Sequence, residues 1–452
     1  MSGARLAVGG DGRGPVSIGL STYPLGFINA PGTDKRQVFI VAGRFSHEPG
    51  LFLYDWREAT ADTAPVLGAR VSVRYPADPK QAPPPGTIFQ TKDGWIYGFW
   101  IIDGALVRTR FDATKNEFVK LPLPPLPVRG LPGTAPEARA NPDGRAAERI
   151  GVIEQADGSL QFLLSVPDPA PYLTAEMKTR RDPAFDPFDG RGIWRGGLPG
   201  VFLFATRLAG PEAEAEAAPG WRQVSPTRRE ALFSHGSLAT VDLGPGHERD
   251  IITGSYLGNL YHYANRNPAG GMELAAASLM RGADGRAVRN DYVWTSPLAV
   301  PARGGPGADL IVGGEGAINF YRFRGLGADG VPDYAAAQPL LAEHALIYTG
   351  SLPVLNSVDW DGDGVTDIVT GNSEGKILFF RNHGTNAAPD FRGGESLAAG
   401  GEVIHVQQGY AALQGPDEAR WGYMSPAVVD WNGDGADPTS SRATPARCIT
   451  FT

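Results

Sequence analysis

The chain has 452 residues, a formal net charge of −8 and a hydrophobic content of 42%. This length allows one large β domain or two to three ordinary domains, and the negative charge argues against a surface for nucleic acids or anionic membranes. Sixty glycines and 39 prolines are too many for a helical protein, the single cysteine excludes an internal disulfide, and no apolar run approaches the roughly 18 residues of a membrane span.

The first residues, MSGARLAVGGDGRGPVSIG, lack the apolar region of a secretory signal. Either the protein is cytoplasmic, or the true start of the protein lies elsewhere.

Three early segments each read as two strands joined by a turn, because apolar and β-branched residues alternate on either side of a Gly-containing turn. They are QVFIVAGRFSHEPGLFLYDW (37–56), GTIFQTKDGWIYGFWIIDG (86–104) and RIGVIEQADGSLQFLLSV (149–166). Pro/Gly/Ala-rich stretches at 124–146 and 167–196 predict long loops between them. Residues 15–230 are therefore predicted to hold three diverged repeat units.

Four later segments are related to one another. They are HGSLATVDLGPGHERDIITGSYLGNLYHY, TSPLAVPARGGPGADLIVGGEGAINFYRF, GSLPVLNSVDWDGDGVTDIVTGNSEGKILFFRN and MSPAVVDWNGDGAD, beginning at His235, Thr295, Gly350 and Met424. Each unit reads as a strand, a turn, a second strand beginning near an aspartate and ending in Gly, a tight turn, and a third strand rich in aromatics. The repeated aspartates are Asp250, Asp309, Asp367 and Asp437.

Seven such units predict an all-β fold. Repeats of this length with several strands each are typical of a β-propeller, which leaves only short, protected strand edges. We predict a single seven-bladed β-propeller over residues 1–452, with six or eight blades as alternatives. Residues 231–435 hold blades 4 to 7, of which the last is predicted to be incomplete.

The sixth unit carries an acidic loop, VDWDGDGVTDIVTG (358–371). Asp359, Asp361 and Asp363 occupy positions 1, 3 and 5 of a calcium loop, the Val365 carbonyl falls at position 7 and Asp367 at position 9. An EF-hand needs a bidentate Glu at position 12 and a following helix, whereas this chain has Thr there and continues as a strand. We predict a calcium turn between two strands; the alternative is an Asp/Gly-rich surface turn without metal.

Residues 350–392 resemble the FG-GAP/VCBS repeats of calcium-binding propellers, which are related to integrin α-subunit blades. The resemblance is weaker over 235–323 and 424–435 and weakest before residue 210. It implies one calcium ion per acidic loop and an extracellular setting. The calcium ligands it implies are Asp359, Asp361, Asp363, Val365 and Asp367, with a second set at Asp430, Asn432 and Asp434. The loops DLGPGHERD and PARGGPGAD of units 4 and 5 have lost the alternating acids.

The C-terminal segment 436–452 abandons the β pattern of the repeats. Its loop, DWNGDGAD, is one residue shorter than the loop of unit 6. When PTSSRATPARCITFT is back-translated and read two bases later, the codons allow the expected DIVTGN strand. We predict that a frameshift or a mis-spliced exon replaced the end of the last blade, which would make Cys448 an artefact; the alternative is a divergent tail.

The blade layout places two kinds of side chain on opposite faces. The calcium loop joins the first and second strands of its blade, whereas the turns after the second strands lie on the other face with the starts of the first strands. That other face gathers histidine, arginine and aromatic side chains, which suit sugar stacking and carboxylate pairing. The candidate catalytic residues are His235, His47, Tyr256, Tyr423, Arg44 and Arg420; the candidate substrate-binding residues are Phe45, Trp95, Trp294, Tyr348 and Trp421.

Two functions from different classes fit this face. A fold-level resemblance to propeller polysaccharide lyases of the rhamnose–glucuronate and ulvan types implies β-elimination at a uronic acid of an acidic polysaccharide. A base, His235 or His47, would remove the C5 proton, while Arg44 or Arg420 neutralises the uronate and Tyr256 or Tyr423 protonates the leaving oxygen. The alternative is a non-catalytic module that binds a glycan or a protein.

Other reaction classes lack sequence support. The chain has no nucleotide-binding loop and no HExxH or paired-cysteine zinc motif. Its GxSxG match, GNSEG (371–375), falls in the turn between two predicted strands of unit 6 and therefore does not form a strand-to-helix elbow. Glycoside hydrolysis needs two carboxylates on one face, and only Glu48 and Glu315 are expected on the face described above, so it ranks below the lyase.

Overall fold

The computed structural model describes residues 9, 12–16, 22–43, 46, 48–60, 63–77, 82–129, 131, 149–167, 201–214, 220–226, 237–255, 258–268, 271–282, 285–290, 294–303, 305–343, 345–406, 422, 424–430 and 447–451. The chain divides into two compact units, Ile18–Pro339 and Met1–Ser17 with Leu340–Thr452. These described ranges form strands and turns, as the all-β prediction requires. They contain no helix that is long and apolar enough to cross a membrane.

The larger unit contains five antiparallel sheets in its described residues. Strand β1 (Arg13–Pro15) precedes them in the chain and belongs to the smaller unit. Sheet 1 consists of β2 (Tyr23–Asn29), β3 (Arg36–Ala42), β4 (Gly50–Arg57) and β5 (Val66–Val73). Sheet 2 consists of β6 (Gly86–Gln90), β7 (Ile96–Ile102), β8 (Ala105–Asp112), β9 (Glu117–Lys120) and β10 (Leu126–Pro127).

The next three sheets follow in chain order. Sheet 3 consists of β11 (Arg149–Glu154), β12 (Leu160–Pro167), β13 (Val201–Leu208) and β14 (Arg222–Gln223). Sheet 4 consists of β15 (Leu238–Val241), β16 (Asp250–Gly254), β17 (Leu260–Tyr263) and β18 (Ser278–Leu279). Sheet 5 consists of β19 (Ser296–Pro301), β20 (Ala308–Gly313), β21 (Asn319–Tyr321) and β24 (Gln338–Pro339), with a hairpin of β22 (Phe323–Leu326) and β23 (Pro332–Tyr334) before its last strand.

The smaller unit holds the last repeat units. Strand β1 pairs with β25 (Leu341–Glu343). Sheet 6 consists of β26 (Val354–Val358), β27 (Asp367–Gly371), β28 (Ile377–Phe380) and β29 (Glu395–Ser396). Two further hairpins pair β30 (Ala398–Ala399) with β31 (Glu402–Val403), and β32 (Pro426–Asp430) with β33 (Arg447–Phe451).

Strand β33 falls in the segment that we predicted to have lost its β pattern. Its residues Ile449, Thr450 and Phe451 are strand formers, and their backbone pairs in register with β32. The pairing does not depend on the reading frame that produced the segment, so the frameshift hypothesis stays a prediction.

The first strands of sheets 1 to 5 contact one another in cyclic order. Strand β2 contacts β6, β6 contacts β11, β11 contacts β15, β15 contacts β19, and β19 contacts β2. Thr22 and Gly314 exchange two backbone hydrogen bonds, of 2.8 and 2.7 Å, where the fifth sheet meets the first. This is the arrangement of a β-propeller. The predicted ring of seven is not confirmed, because β2 lies beside β19 where the first strand of a sixth blade was expected.

The glycine that ends the second strand of a repeat lies where the backbone of a neighbouring sheet comes closest. A Cβ atom built on Gly254 would lie 1.9 Å from the carbonyl oxygen of Thr295, and one on Gly313 would lie 2.4 Å from that of Thr22. In the smaller unit, a Cβ on Gly371 would lie 2.2 Å from a backbone oxygen ahead of β32. Only glycine permits this approach. The glycine at the end of the second strand in each repeat is therefore required by a contact between neighbouring sheets.

Apolar side chains fill the space between neighbouring sheets. Phe99 of sheet 2 and Phe162 of sheet 3 are fully buried, and their rings meet edge to face with centroids 4.9 Å apart. Burial of each such ring stabilises the fold by about 1.5–3 kcal/mol. Because this core lies between the sheets, the turns at the two ends of the ring are left available for function. We call the end with the turns between first and second strands the first-turn face.

Candidate functional sites

The acidic loop of sheet 6 brings three carboxylates together. Ligand atoms of Asp359, Asp361 and Asp363 all lie within 4.8 Å of one another. The backbone folds around the first of them, since Asp359 accepts hydrogen bonds from the N–H groups of Gly362, at 2.8 Å, and Gly364, at 3.0 Å. Gly364 has a φ of 83°, a conformation that favours glycine. The turn glycine therefore has a positive φ and the three carboxylates lie together, while their role as calcium ligands stays a prediction.

A guanidinium balances part of this negative charge. Arg381 forms an ion pair with Asp361, whose side chain is only 13% exposed. Val365 donates its N–H to Asp363 Oδ1 over 2.8 Å, which orients the third carboxylate. The donor set is oxygen only, and such a set suits a hard cation such as calcium.

Asp367, the fourth predicted carboxylate ligand, has a different role in the structure. Its side chain is buried, and its two oxygens accept the N–H groups of Trp360, at 3.0 Å, and Asn382, at 2.8 Å. Burial raises the pKa of Asp367, and the neighbouring charges of Asp361 and Asp363 raise it further. Asp367 connects the loop to the end of β28 and lies outside the group of three carboxylates.

The same backbone contact recurs in sheets 4 and 5. Asp250 Oδ1 accepts the N–H of Asn265 over 2.8 Å, and Asp309 Oδ1 accepts that of Phe323 over 2.8 Å. In each sheet the repeated aspartate, near the start of the second strand, holds the chain just beyond the third strand. The aspartate of the repeat is therefore a structural residue in all three sheets.

A second cluster surrounds Asp250 in sheet 4. His247 Nδ1 lies 2.6 Å and His262 Nε2 lies 2.7 Å from the same carboxylate oxygen, Asp250 Oδ2. Burial acts to raise the pKa of Asp250, but hydrogen bonds from His262, the Asn265 N–H and His247 outweigh it and hold the pKa below its usual range. The spacing of these histidines in the sequence is not a metal-binding spacing, so it did not predict this cluster. Only the β16–β17 register, which pairs Ile252 with His262, brings the side chains together.

The first-turn face of the larger unit contains a hollow of about 1000 Å³ between sheets 1, 2 and 5. Its charged lining residues are Asp34, Arg36, Lys92, Asp93 and Arg303. Gln90 holds two of its walls together, because its side chain accepts the N–H of Asn29 over 2.8 Å and donates to the carbonyl of Asn29 over 2.9 Å.

Two arginines of this hollow are fixed by one carboxylate. Glu58 accepts hydrogen bonds from Arg36, at 3.0 Å, from Arg303, at 2.9 Å, and from the indole N–H of Trp56, at 3.1 Å. Arg36 is buried and also donates to the carbonyl of Pro301 over 2.7 Å. Burial acts to raise the pKa of Glu58, but these donors outweigh it and lower the pKa. Glu58 thus fixes the two guanidiniums in the wall of the hollow and offsets part of their positive charge.

A groove of about 620 Å³ adjoins the hollow and shares Pro31, Asp93 and Gly94 with it. Trp95 lines the groove and is 52% exposed, an unusual exposure for a tryptophan. The guanidinium of Arg110 lies over the indole, 5.1 Å from the ring centroid. Lys115 and Asp112 complete the charged lining of the groove.

The predicted position of Trp95 on the functional face is wrong. We expected it among the turns that follow the second strands. It instead lies between β6 and β7, the first and second strands of sheet 2. The hairpin 86–104 contains the first and second strands because β6 contacts the first strands of both neighbouring sheets, whereas a tight turn by itself does not show which hairpin of a blade it closes.

Two other predicted substrate-binding residues lie in the described part of the chain. Trp294 is half-buried just before β19 and has a φ of 57°, which is rare for a residue other than glycine. Tyr348 donates its hydroxyl hydrogen to Glu374 Oε1 over 2.7 Å, so it has a structural partner within the smaller unit.

The remaining predicted residues lie outside the described residues. They are Arg44, Phe45, His47, His235, Tyr256, Arg420, Trp421, Tyr423, Asn432 and Asp434. Asp430 is the last residue of β32, and its side chain also lies outside the description. The catalytic assignments and the second calcium set therefore stay predictions.

Comparison with known proteins does not assign the chain to a family. No protein-family model matches the chain, and the search of curated proteins gave no match. Among solved structures, the chain is similar to an endo-1,4-β-xylanase from Bacteroides thetaiotaomicron, with 9% identity over 72% of this chain and 99% of that chain and a TM-score of 0.41.

Two further solved structures show weaker similarity. A GH43_1 enzyme from Xanthomonas citri, complexed with xylotriose, is 12% identical over 72% of this chain and 94% of that chain, with a TM-score of 0.39. A GH93 α-L-arabinofuranosidase of Fusarium graminearum, with arabinobiose, is 10% identical over 70% of this chain and 75% of that chain, with a TM-score of 0.32. Similarities at this level carry no argument about the function of this chain.

Proposed function

We propose that the protein is a β-propeller that binds an acidic glycan on the first-turn face of its larger unit. The observation that carries the proposal is the half-exposed indole of Trp95, held under Arg110 in a groove beside the larger hollow. An exposed indole face stacks on a sugar ring, and the adjoining hollow offers arginine and lysine side chains for the carboxylates of neighbouring sugars.

The charge of this surface favours an acidic ligand. The chain carries a net charge of −8, and the residues that line the hollow and the groove comprise five cations and three carboxylates. The cations are Arg36, Lys92, Arg110, Lys115 and Arg303, and the carboxylates are Asp34, Asp93 and Asp112. Glu58 pairs with Arg36 and Arg303, and Glu212 pairs with Arg110, so these two carboxylates offset part of the positive charge. The side chains of Lys92 and Arg303 are exposed at the hollow and can pair with the carboxylate of a sugar, so a uronate-containing chain is a better ligand than a neutral one.

A binding assay with matched variants tests the proposal. Affinity electrophoresis is run in gels that contain gum arabic, ulvan or a neutral glucan. We expect retardation by the acidic polysaccharides, weakened about five- to tenfold by Trp95→Ala, since a stacked ring contributes on the order of 1 kcal/mol. Arg303→Gln is expected to weaken binding of the acidic polysaccharides alone.

Two controls separate binding from loss of structure. Arg392→Gln replaces an equally exposed arginine of the smaller unit (54% against 58% for Arg303), and Leu355→Ala replaces an exposed apolar residue there. Both should leave retardation unchanged. Equal retardation by the neutral glucan would contradict the preference for an acidic ligand. Insensitivity to both Trp95→Ala and Arg303→Gln would show that this face is not the binding site.

Lyase chemistry is a separate candidate function that does not use the Trp95 groove. It requires the base, neutraliser and acid predicted on the opposite face, His235 or His47 with their partners. Cleavage by β-elimination produces an unsaturated uronate that absorbs in the ultraviolet. A rise in absorbance that His235→Ala or His47→Ala abolishes would support the lyase, whereas a flat trace together with measurable binding supports the binding module.

Calcium in the acidic loop is part of the same proposal. Asp359, Asp361 and Asp363 fit a hard cation, because three carboxylates converge and backbone N–H groups orient the first and third. Asp367 stabilises the loop by accepting a hydrogen bond from the N–H of Trp360. A bound ion would remove the repulsion among the three acids and rigidify the turn. An extracellular setting, where free calcium suffices for modest affinity, accords with this proposal.

A further inference from the structure

A second, chemically distinct cation site is built into the first turn of sheet 4. It consists of His247 in the turn between β15 and β16, Asp250 at the start of β16, and His262 in β17. Among the described residues, this trio is one of two groups whose ligand atoms all lie within 4.8 Å of one another. It is independent of the glycan surface and of the acidic loop.

The fold holds the three side chains in place. Asp250 is fully buried and His262 is 2% exposed. Because Oδ1 of Asp250 is held by the N–H of Asn265, Oδ2 points between the two imidazoles, 2.6 Å from His247 and 2.7 Å from His262. Such outer hydrogen bonds fix the orientation of metal ligands in known sites.

We propose that His247, Asp250 and His262 bind a borderline divalent cation of the zinc class. Two imidazole nitrogens and one carboxylate oxygen are a donor set preferred by zinc and its first-row neighbours, whereas calcium prefers oxygen alone. Three protein ligands leave one tetrahedral position open. That position lies towards His247, because its side chain is 23% exposed while the other two are buried.

The distances set a specific requirement for binding. Tetrahedral bonds of about 2.0–2.2 Å to zinc place neighbouring ligand atoms roughly 3.3–3.6 Å apart, so the nitrogens must move away from Asp250 Oδ2 by about 0.6–1 Å. His247 can make this movement because it lies in a turn. The alternative role for the trio is a hydrogen-bonded cluster in which each histidine donates a hydrogen bond to Asp250 Oδ2.

The test uses the tag-free full chain, stripped with a chelator and then titrated with Zn²⁺ by calorimetry and with Co²⁺ by visible absorption. We expect the calorimetric titration to show one Zn²⁺ ion bound by the three residues. We also expect a visible spectrum typical of tetrahedral Co²⁺ and a rise in melting temperature on addition of Zn²⁺. Three substitutions of the turn residue distinguish the two roles. His247→Cys keeps a metal ligand, His247→Asn keeps a hydrogen-bond donor, and His247→Ala keeps neither.

For a metal site, His247→Cys retains Zn²⁺-dependent stabilisation, whereas His247→Asn and His247→Ala weaken binding by at least about tenfold. If the trio is only a hydrogen-bonded cluster, Zn²⁺ will stabilise the parent protein no more than it stabilises the three His247 variants. That result overturns the proposal. His383→Ala, which removes an exposed histidine of the smaller unit, and Asp361→Asn, in the acidic loop, are controls. If either abolishes the Co²⁺ spectrum that the His247 variants leave unchanged, the ion binds elsewhere and the proposal is wrong.

Discussion

The first turns of sheets 4 and 6 begin from the same repeat and differ in chemistry. In both, the repeated aspartate is buried and one of its oxygens holds the chain beyond the third strand. The other oxygen of Asp250 is contacted by two histidines, whereas that of Asp367 accepts the N–H of Trp360 in an acidic loop. The backbone contact is thus separable from the side chains around it, and one repeat presents nitrogen donors at one turn and oxygen donors at another.

Sheet 5 provides the reference state of this comparison. Asp309 makes the backbone contact to Phe323, and within the described ranges neither a histidine pair nor an acidic loop lies beside it. Burial raises the pKa of Asp309, and the partly compensating charges of Arg322 and Arg36 leave it raised. The repeated aspartate alone is therefore poorly accommodated as an anion.

The largest effect is expected from removing the aspartate itself. Asp250→Ala leaves the Asn265 N–H and two imidazoles without their shared acceptor, which we expect to cost about 3 kcal/mol or more, since each buried unsatisfied donor costs ~1–3 kcal/mol. Asp367→Ala loses two backbone contacts but relieves repulsion from Asp361 and Asp363, so it should cost less. Urea unfolding in the presence of a chelator measures both; a larger loss for Asp367→Ala would break the comparison.

We expect calcium to stabilise the protein by binding the acidic loop of sheet 6 and not the histidine cluster of sheet 4. An ion that binds only the folded state stabilises it by about 2.7 kcal/mol at a hundredfold excess over its dissociation constant. We therefore expect calcium to raise the melting temperature, and Asp359→Asn to abolish most of the rise. Calorimetric scans with calcium, with zinc and with a chelator provide the measurement. His247→Ala is the matched control and should retain the full calcium response.

Arg381→Gln sharpens the comparison within the acidic loop. The guanidinium pairs with Asp361 and competes with an incoming cation for the same carboxylate. Its removal should tighten calcium binding several-fold, since relief of one charge contact near the surface is worth about 1 kcal/mol. Isothermal titration measures the change, with Arg392→Gln as the control for loss of one exposed arginine. Weaker binding would mean that Arg381 supports the loop instead.

The smallest effect is expected at Asp309. Because its folded-state pKa is raised above the unfolded value, the folded state binds the proton more tightly, and stability falls as pH rises from about 3.9 through the raised pKa. Asp309→Asn cannot ionise and still accepts the Phe323 N–H. It should be more stable than the parent at neutral pH by a few tenths of a kcal/mol after solvent screening. The difference should vanish in acid; unfolding curves across pH test this.

Local chemistry was readable from the sequence wherever neighbours in the chain are neighbours in space. The alternating acids of the loop and the turn glycine Gly364 are close in the sequence, and Asp359, Asp361 and Asp363 also lie close together in space. Gly254 and Gly313 were recognised as strand ends, but their reason for being glycine is a contact with Thr295 and Thr22. No local pattern contains that contact.

Long-range register was the part that the sequence did not show. His247, Asp250 and His262 meet only because β16 and β17 pair in one register. Trp95 was placed on the wrong face because the first and second hairpins of a blade have similar sequences. A count of seven repeats likewise does not reveal which first strands become neighbours.

The hydrogen bonds between Thr22 and Gly314 have a kinetic consequence. They join segments near opposite ends of the larger unit, so this seam cannot form until sheet 5 has emerged from the ribosome. Earlier sheets can stack on one another as they appear, but the edge of β2 stays open meanwhile, and closing so long a loop is slow. We therefore expect a chain truncated before β19 to aggregate and to give little soluble protein. The exposed edge of β2 would be free to pair with a strand of another chain.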